Sequence, residues 1–418
     1  MIGVPPNSRR ADDAVRLRAT AARPLGSLRV LDLTQLRAGP YCTRLLAGFG
    51  AQVIKVERPG KGDVLRDHGP FVGGRAGRER SIPFHWLNLG KKSVTLDLEA
   101  SEGRELLWRL IRTADVLVES FAPRVKRRLG LTYDAARAAN PRLVMTSISS
   151  FGESGPYRDY RANETVLYAM SGGMYTTGDA DRAPLAARPA MTQFTAGMHA
   201  YIGTLMALFR RGPSGPGEHV EVSMQESALE NVEIQLAEYL HEGKVARRKG
   251  NEHPLVPWRT YPCRDGYAAV IGGPLRHWAK AAEMFEEPRL LEPKLRHAAG
   301  RIEHRAEVES LLRPWLARHG KKDVYHMGQA RGLAFGYVAD LKDALESPQH
   351  RARGFFVDTD EHPEVGRLRV CGAPFLVRGA DWTVGRAPLL GEHTAEVLTG
   401  CLGLSDDGIA TLRERNVL

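Results

Sequence analysis

The chain has 418 residues, 43% of them apolar, enough to bury a sizeable core, and it reads as two domains of one enzyme-sized protein. Its formal charge is +10, yet Lys and Arg are spread along the chain with no aromatic-interleaved basic stripe, which argues against nucleic acid and for an anionic small ligand. Cys42, Cys263, Cys371 and Cys401 lack the spacing of zinc or redox pairs, and no apolar run reaches membrane-spanning length, so a cytoplasmic protein with no metal site and no membrane contact is expected.

The first 25 residues carry scattered charges, with Asp12 and Asp13 among the arginines, and read as an N-terminal extension. Residues 28–63 organise the rest of the chain. The apolar run 28–33 predicts a strand, Ala38-Gly39-Pro40 breaks it, 41–49 has helical spacing, Gly50 stops that helix, and 53–56 is a second strand. Two buried strands joined by a crossover helix lie parallel, so this is the first unit of a doubly wound sheet, whose strand ends near Arg37 and Arg58 are the place for a ligand. The turn LRAGP lacks the spaced glycines of a nicotinamide site, and that ligand is rejected.

Residues 63–80, rich in Gly, Asp and Arg, predict a surface loop. Strands come next at 93–98, 116–118 and 143–148 with a helix from Ser101 to Thr113 between the first two, the alternation of an α/β layer fold. Helices are predicted at 165–172 and 196–211, the latter burying Met198, Ile202, Leu205, Met206 and Phe209 on one face. Residues 219–223 alternate as a strand, and 224–241 form a long helix leaving the first domain. The expected fold class is α/β: a large Rossmann-like doubly wound domain over 26–225, a linker and smaller α+β domain over 226–345, and a segment 346–418 returning to the large domain.

Several phrases together resemble the family III CoA-transferases, the CaiB/BaiF family, which includes formyl-CoA transferase and the α-methylacyl-CoA racemases. They are VLDLT, AGPYCTRLLAGFGAQVIKVERPGKGD, LNLGKKSVTLDL, ADVLVESFAP, RLGLTY, NPRLVMTSISSFGESGPY, AMSGGM, AGMHAYIGTLMALFRR, GEHVEVSMQESALE and SPQHRARGFF. The resemblance implies two subunits threaded through one another as linked rings, with acyl-CoA and a carboxylic acid as substrates and no permanently bound cofactor. It also implies a carboxylate nucleophile that attacks the thioester to give a mixed anhydride, because an acid makes an anhydride reactive enough to exchange.

That nucleophile is missing. The family's Asp stands four residues before the Gly-Met-His that opens a helix, and four residues before Gly197 lies Gln193. Glu164 matches the acid 29 residues upstream, and no Asp or Glu occurs between Asp181 and Glu218, so a register slip restores nothing. A side-chain amide is neutral and its nitrogen lone pair is delocalised, so Gln193 does not attack a thioester; it can still donate and accept hydrogen bonds. Glu164 reads either as an acid or base or as a hydrogen-bonded residue at a helix start, where the dipole favours an anion. The racemases place a His before this acid, and Asn163 stands there instead; Tyr168, where transferases often have Gln, reads as packing.

The resemblance places CoA contacts at Arg58, Leu96, Ser120, Phe121, Arg128 and Arg161, with guanidinium suited to phosphate. Ser120 stands where Asn is usual, Glu99 where Lys is usual, and Arg37 replaces a Gln that faces the active site. The glycine-rich loop of some members has no counterpart in NEHPLVPWRTYP. The expected function is a CoA-transferase polypeptide lacking its own nucleophile and working with a related, Asp-bearing subunit. The alternatives are an acyl-CoA isomerase, lyase or hydrolase using Glu164 as base, and a non-catalytic CoA or acyl-CoA binder.

Overall fold

The computed structural model describes residues 23–186 and 190–418. They divide into two units. The larger draws on the described residues up to Gly173, Ala186–Leu236 and Ala352–Leu418, and the smaller on Met174–Leu185 and Ala237–Arg351.

The larger unit is built on strands β1 (Arg29–Leu33), β2 (Gln52–Glu57), β3 (Lys92–Thr95), β4 (Val116–Glu119), β5 (Val144–Ser149) and β6 (His219–Ser223). They form one sheet in the order β3-β2-β1-β4-β5-β6, with every neighbouring pair parallel. Between them run helices α1 (Ala38–Gly48), α2 (Ile82–Leu87), α3 (Ser101–Thr113), α4 (Pro123–Leu129), α5 (Tyr133–Ala139), α6 (Glu164–Met170) and α7 (Met191–Arg211). Alternation along β1 explains the two-sided burial. Val30 packs with Cys42, Leu46, Ala196 and Ala200 on one face, while Leu31 packs with Leu107, Leu110 and Ile111 on the other. The first strand-helix-strand reading holds: α1 stops just before Gly50, whose φ of +103° suits a residue without Cβ.

Three expectations fail. Residues 63–80 are not a simple surface loop, because Asp63 and Arg66 are buried at 1% and 0% exposure. Asp63 pairs with Lys55 at 2.8 Å, and Arg66 grips Glu57 at 2.8 Å and Glu79 at 2.6 Å, so the charges are buried in pairs. Helix α7 starts at Met191, five residues earlier than its spacing suggested, and it buries the opposite side. Its inward residues are mostly small, including Ala196, Gly197, Ala200, Thr204 and Ala207, with Tyr201 the large apolar exception, while Leu205 packs half-buried against the same core. A Cβ on Gly197 would lie 2.5 Å from the Ala38 carbonyl oxygen, so α1 and α7 cross too closely for large side chains. Met198, Ile202, Met206 and Phe209 face outward at 44%, 51%, 67% and 91% exposure.

After β6 come α8 (Met224–Leu229) and α9 (Glu233–Glu242), joined by a 3₁₀ turn where one long helix was expected. The smaller unit holds a three-stranded antiparallel sheet, β7 (Trp258–Cys263), β8 (Gly266–Ile271) and β9 (Gly336–Tyr337). Its core includes Tyr261, Trp278, Leu312 and Trp315, with the Trp278 indole N–H donating to the Leu290 carbonyl at 2.7 Å. The C-terminal segment supplies Val397 and Val417 to the core of the larger unit. No helix among the described residues is long and apolar enough to cross a membrane.

Candidate active site

The sheet order reverses between β1 and β4, which opens a crevice at the carboxyl ends of the strands. A cleft of ≈ 150 Å³ lies there. Its walls come from the ends of β1 (Leu33, Gln35), β2 (Glu57, Arg58), β3 (Leu96, Glu99) and β4 (Phe121), with Val125 and Leu129 of α4 closing one side. Arg58, Leu96 and Phe121 line this one cleft. The Ser120 hydroxyl accepts from the Gln35 N–H at 3.1 Å and ties the β4 loop to the β1 loop at the cleft edge. Arg128 is half a step removed, its guanidinium held by Glu99 at 2.7 Å. Arg161 lies exposed in the segment after β5 and is not among the lining residues.

Beneath these strand ends lies a buried ionic network that sequence reasoning missed. Lys91 Nζ donates to Asp32 at 2.9 Å, to the Thr43 hydroxyl at 2.7 Å and to the Asn88 side-chain carbonyl at 2.9 Å. Burial opposes ionisation of Asp32, but Lys91, Lys55 and the hydroxyls of Thr34 and Thr43 outweigh it and hold the carboxyl well below the usual range. The available signal was an acid set inside the apolar strand text VLDL, since a charge in a buried strand requires a partner. A second polar cluster sits behind α4. There Lys126 lies 3.3 Å from Glu119, donates to Ser147 at 3.2 Å and pairs with Glu153, while His219 contacts Ser147 at 2.9 Å. Burial raises the Glu119 carboxyl and lowers His219, each shift favouring the neutral form.

Gln193 and Glu164, 29 residues apart in sequence, stand side by side. Helix α7 begins after Ala190, which adopts φ of +31° and offers no side-chain cap. The cap comes from Glu164. One carboxylate oxygen accepts from the Thr192 N–H at 2.9 Å, and the other accepts from the Gln193 N–H at 3.3 Å and the Gln193 side-chain amide at 3.4 Å. Gln193 is 9% exposed. Asn163 caps its own helix, its side chain accepting from the Val166 N–H at 3.1 Å.

Phe194, the next residue, packs edge-on to Tyr41 and Trp86, whose own rings stack at 5.8 Å. No feature of the sequence marked these three aromatics as neighbours. Arg37 sits immediately before α1, half-buried, and its side chain makes no ion pair among the described residues. The α1–α7 crossing at Ala38 and Gly197 sets Arg37 near the first turns of α7. The arrangement at the start of α7 offers an amide and an anchored carboxylate beside aromatic surface. Among the described residues no group of three or more His, Cys, Asp or Glu is placed to hold a metal ion.

A doubly wound domain with a ligand cleft at its switch point is shared by many enzyme classes, and likeness to known proteins narrows the choice. The sequence model of CoA-transferase family III matches residues 25–394. Succinyl-CoA--D-citramalate CoA-transferase of Chloroflexus aurantiacus is 35% identical over 95% of this chain and 98% of its own. Formyl-CoA:oxalate CoA-transferase of Streptomyces avermitilis is 34% identical over 95% of this chain and 100% of its own. A CAIB/BAIF family protein from Brucella suis superposes with a TM-score of 0.81 at 31% identity, over 90% of this chain and 99% of that one. The chain belongs to CoA-transferase family III.

Proposed function

We propose that this chain is the non-nucleophilic half of an acyl-CoA:carboxylate CoA-transferase, acting with a related subunit that carries the aspartate. The single observation that carries this reading is the side chain at the start of α7. Where the family's chemistry requires a carboxylate, Gln193 presents an amide, and its neighbour Glu164 spends both oxygens on the helix N-terminus. Substrate binding is retained at the cleft through Arg58, Leu96, Ser120 and Phe121, with Arg128 and Arg161 as further phosphate contacts and Arg37 facing the acyl end.

The partner is a chain of the same family, in the linked-ring dimer that the family resemblance implies. The outward stripe Met198, Ile202, Met206 and Phe209 supports this, since positions i, i+4, i+8 and i+11 share one helix face and carry four large apolar side chains in water. Exposed Ile234 and Leu240 on α9 add to the same kind of surface.

The test is expression alone and together with an Asp-bearing relative from the same source, followed by isotope exchange between an acyl-CoA and its free acid. Exchange only in the co-expressed, co-purified pair is expected. Exchange by the chain alone that is lost in Glu164→Gln would instead make Glu164 the working acid. No partner and no exchange, with CoA still bound, would leave a binding protein.

A further inference from the structure

Segments that wall the cleft are fastened to one buried carboxylate that does not itself line it. Glu119 ends β4 and is 1% exposed, and a charge at the end of an apolar strand needs partners. One of its oxygens accepts from the Phe121 N–H at 2.9 Å, which ties the loop after β4 back to the strand and holds Phe121 at the cleft wall. The other oxygen lies 3.3 Å from Lys126 Nζ, on the helix α4 whose Val125 and Leu129 close one side of the cleft. Lys126 is buried and donates to the Ser147 hydroxyl of β5 at 3.2 Å, so charge as well as apolar contact pins α4 to the sheet. Ser120, between Glu119 and Phe121, carries the tie on to the β1 loop by accepting from the Gln35 N–H at 3.1 Å.

Phe121 is held by one oxygen and α4 by the other, so a single carboxylate fixes the spacing between two walls of the cleft. Both ties need two acceptor oxygens and a negative charge at this reach. An amide keeps one acceptor and no charge, and an aspartate is one methylene short. We propose that Glu119 is a positioning residue of the cleft, acting with Lys126 to fix the spacing of Phe121 and α4 and so to set ligand affinity without touching the ligand. The choice of CoA as probe rests on the acyl-CoA reading of the cleft given above. The other charged or titratable groups around the pair are Glu153, which also pairs with Lys126, His219, which contacts Ser147 at 2.9 Å, and Glu221, which accepts from the Glu153 N–H at 2.6 Å. Burial raises the Glu119 carboxyl even against Lys126, so it takes up a proton above the usual carboxylate range as pH falls, and the tie to α4 weakens with it.

The experiment is titration calorimetry of the full chain with CoA on the wild type, Glu119→Gln and Glu119→Asp, with Arg127→Ala as control, since Arg127 sits on the same helix and pairs at the surface with Asp159. A loss of global stability does not alter the Kd of molecules that remain folded, and far-UV circular dichroism verifies that they are. The expected result at about pH 7.5 is a Kd weaker by about five- to tenfold in both Glu119 variants and unchanged in Arg127→Ala. The ratio of Glu119→Gln to wild type, in which the ligand's own titration cancels, narrows as pH falls toward about 5, because protonated Glu119 is as neutral as the amide. A Kd within about twofold of wild type in the Glu119 variants, or a ratio constant with pH, overturns the positioning role while leaving the acyl-CoA reading intact. Hydrogen exchange over residues 119–129 of the wild type reads the same tie without ligand or substitution. Protection there falls relative to the rest of the sheet between about pH 7.5 and 5 if Glu119 holds α4, and an even response overturns the role even where neither variant folds. A wild type that binds no CoA defeats the acyl-CoA reading, and the exchange data then decide on Glu119 alone.

Discussion

At the scale of single residues the proposed lack of a nucleophile turns on Gln193, and the geometry around it says what an acid at that position would entail. Gln193→Asp removes one methylene and sets a carboxylate beside the Glu164 oxygen that now receives the amide at 3.4 Å. Two carboxylates sharing one helix N-terminus do not both ionise easily, so one of them titrates above the usual range. The variant is expected to gain exchange activity that rises with pH as the pair loses its second proton. It should also show an acyl adduct at position 193, trapped with hydroxylamine and located by mass spectrometry. Silence in the presence of bound acyl-CoA would mean that more than one residue has been retired, with Arg37 the next to examine.

At the scale of elements, the strand ends β1 and β2 are fastened by charges rather than by apolar contact. Lys91 and Asp32 are both fully enclosed, and removing one partner leaves the other buried without compensation, a loss of about 3–5 kcal/mol. Lys91→Met is therefore expected to lower the urea midpoint sharply, whereas exposed Arg415→Ala, which breaks a surface pair with Glu102, should shift it little. Helix α2 and the C-terminal segment meet through His85 and His362, whose rings stand edge to face at 4.6 Å. Burial, then His85, then Arg386 push His362 down to about 4, and burial chiefly lowers His85 as well. Their unfolded values lie near 6.5, so the unfolded chain binds more protons across the interval between. The stability these neutral rings contribute is complete above about pH 6.5 and is lost as pH falls toward 4. Thermal melts from pH 7.5 to 4.5 should show His362→Gln losing less stability over that window than the wild type; an identical pH slope would place the acid sensitivity elsewhere.

At the scale of the whole molecule, the outward face of α7 asks for a partner. Met206 and Phe209 are among its most exposed apolar side chains, and fully burying such groups contributes roughly 1.5–3 kcal/mol each. Met206→Asp with Phe209→Asp is expected to weaken association, read as a concentration-dependent fall in mass by light scattering, while far-UV circular dichroism stays unchanged because neither side chain supports the fold of its own chain. An unaltered dimer in the double variant would move the interface away from this face.

The local text alone determined the strands, the crossover connections and hence the parallel sheet, because apolar runs, chain breaks and the right-handed crossover leave little choice. It also determined the family and the absence of an acid at position 193, since both are properties of residue order. What it did not determine is which side of α7 faces the core. That helix is apolar on both sides, mostly small residues on one and large on the other, and periodicity reports an apolar face without naming its neighbour. Only the close crossing at Gly197 decided that the small side goes inward. The same holds for charge. Asp63 and Arg66 read as loop residues until Lys55 and Glu57 are seen beside them, and Glu99 reads as a lost cation until Arg128 is found in its grasp. Burial of a charge depends on partners remote in sequence, so the tertiary structure, and not the composition of a segment, decides whether it meets water.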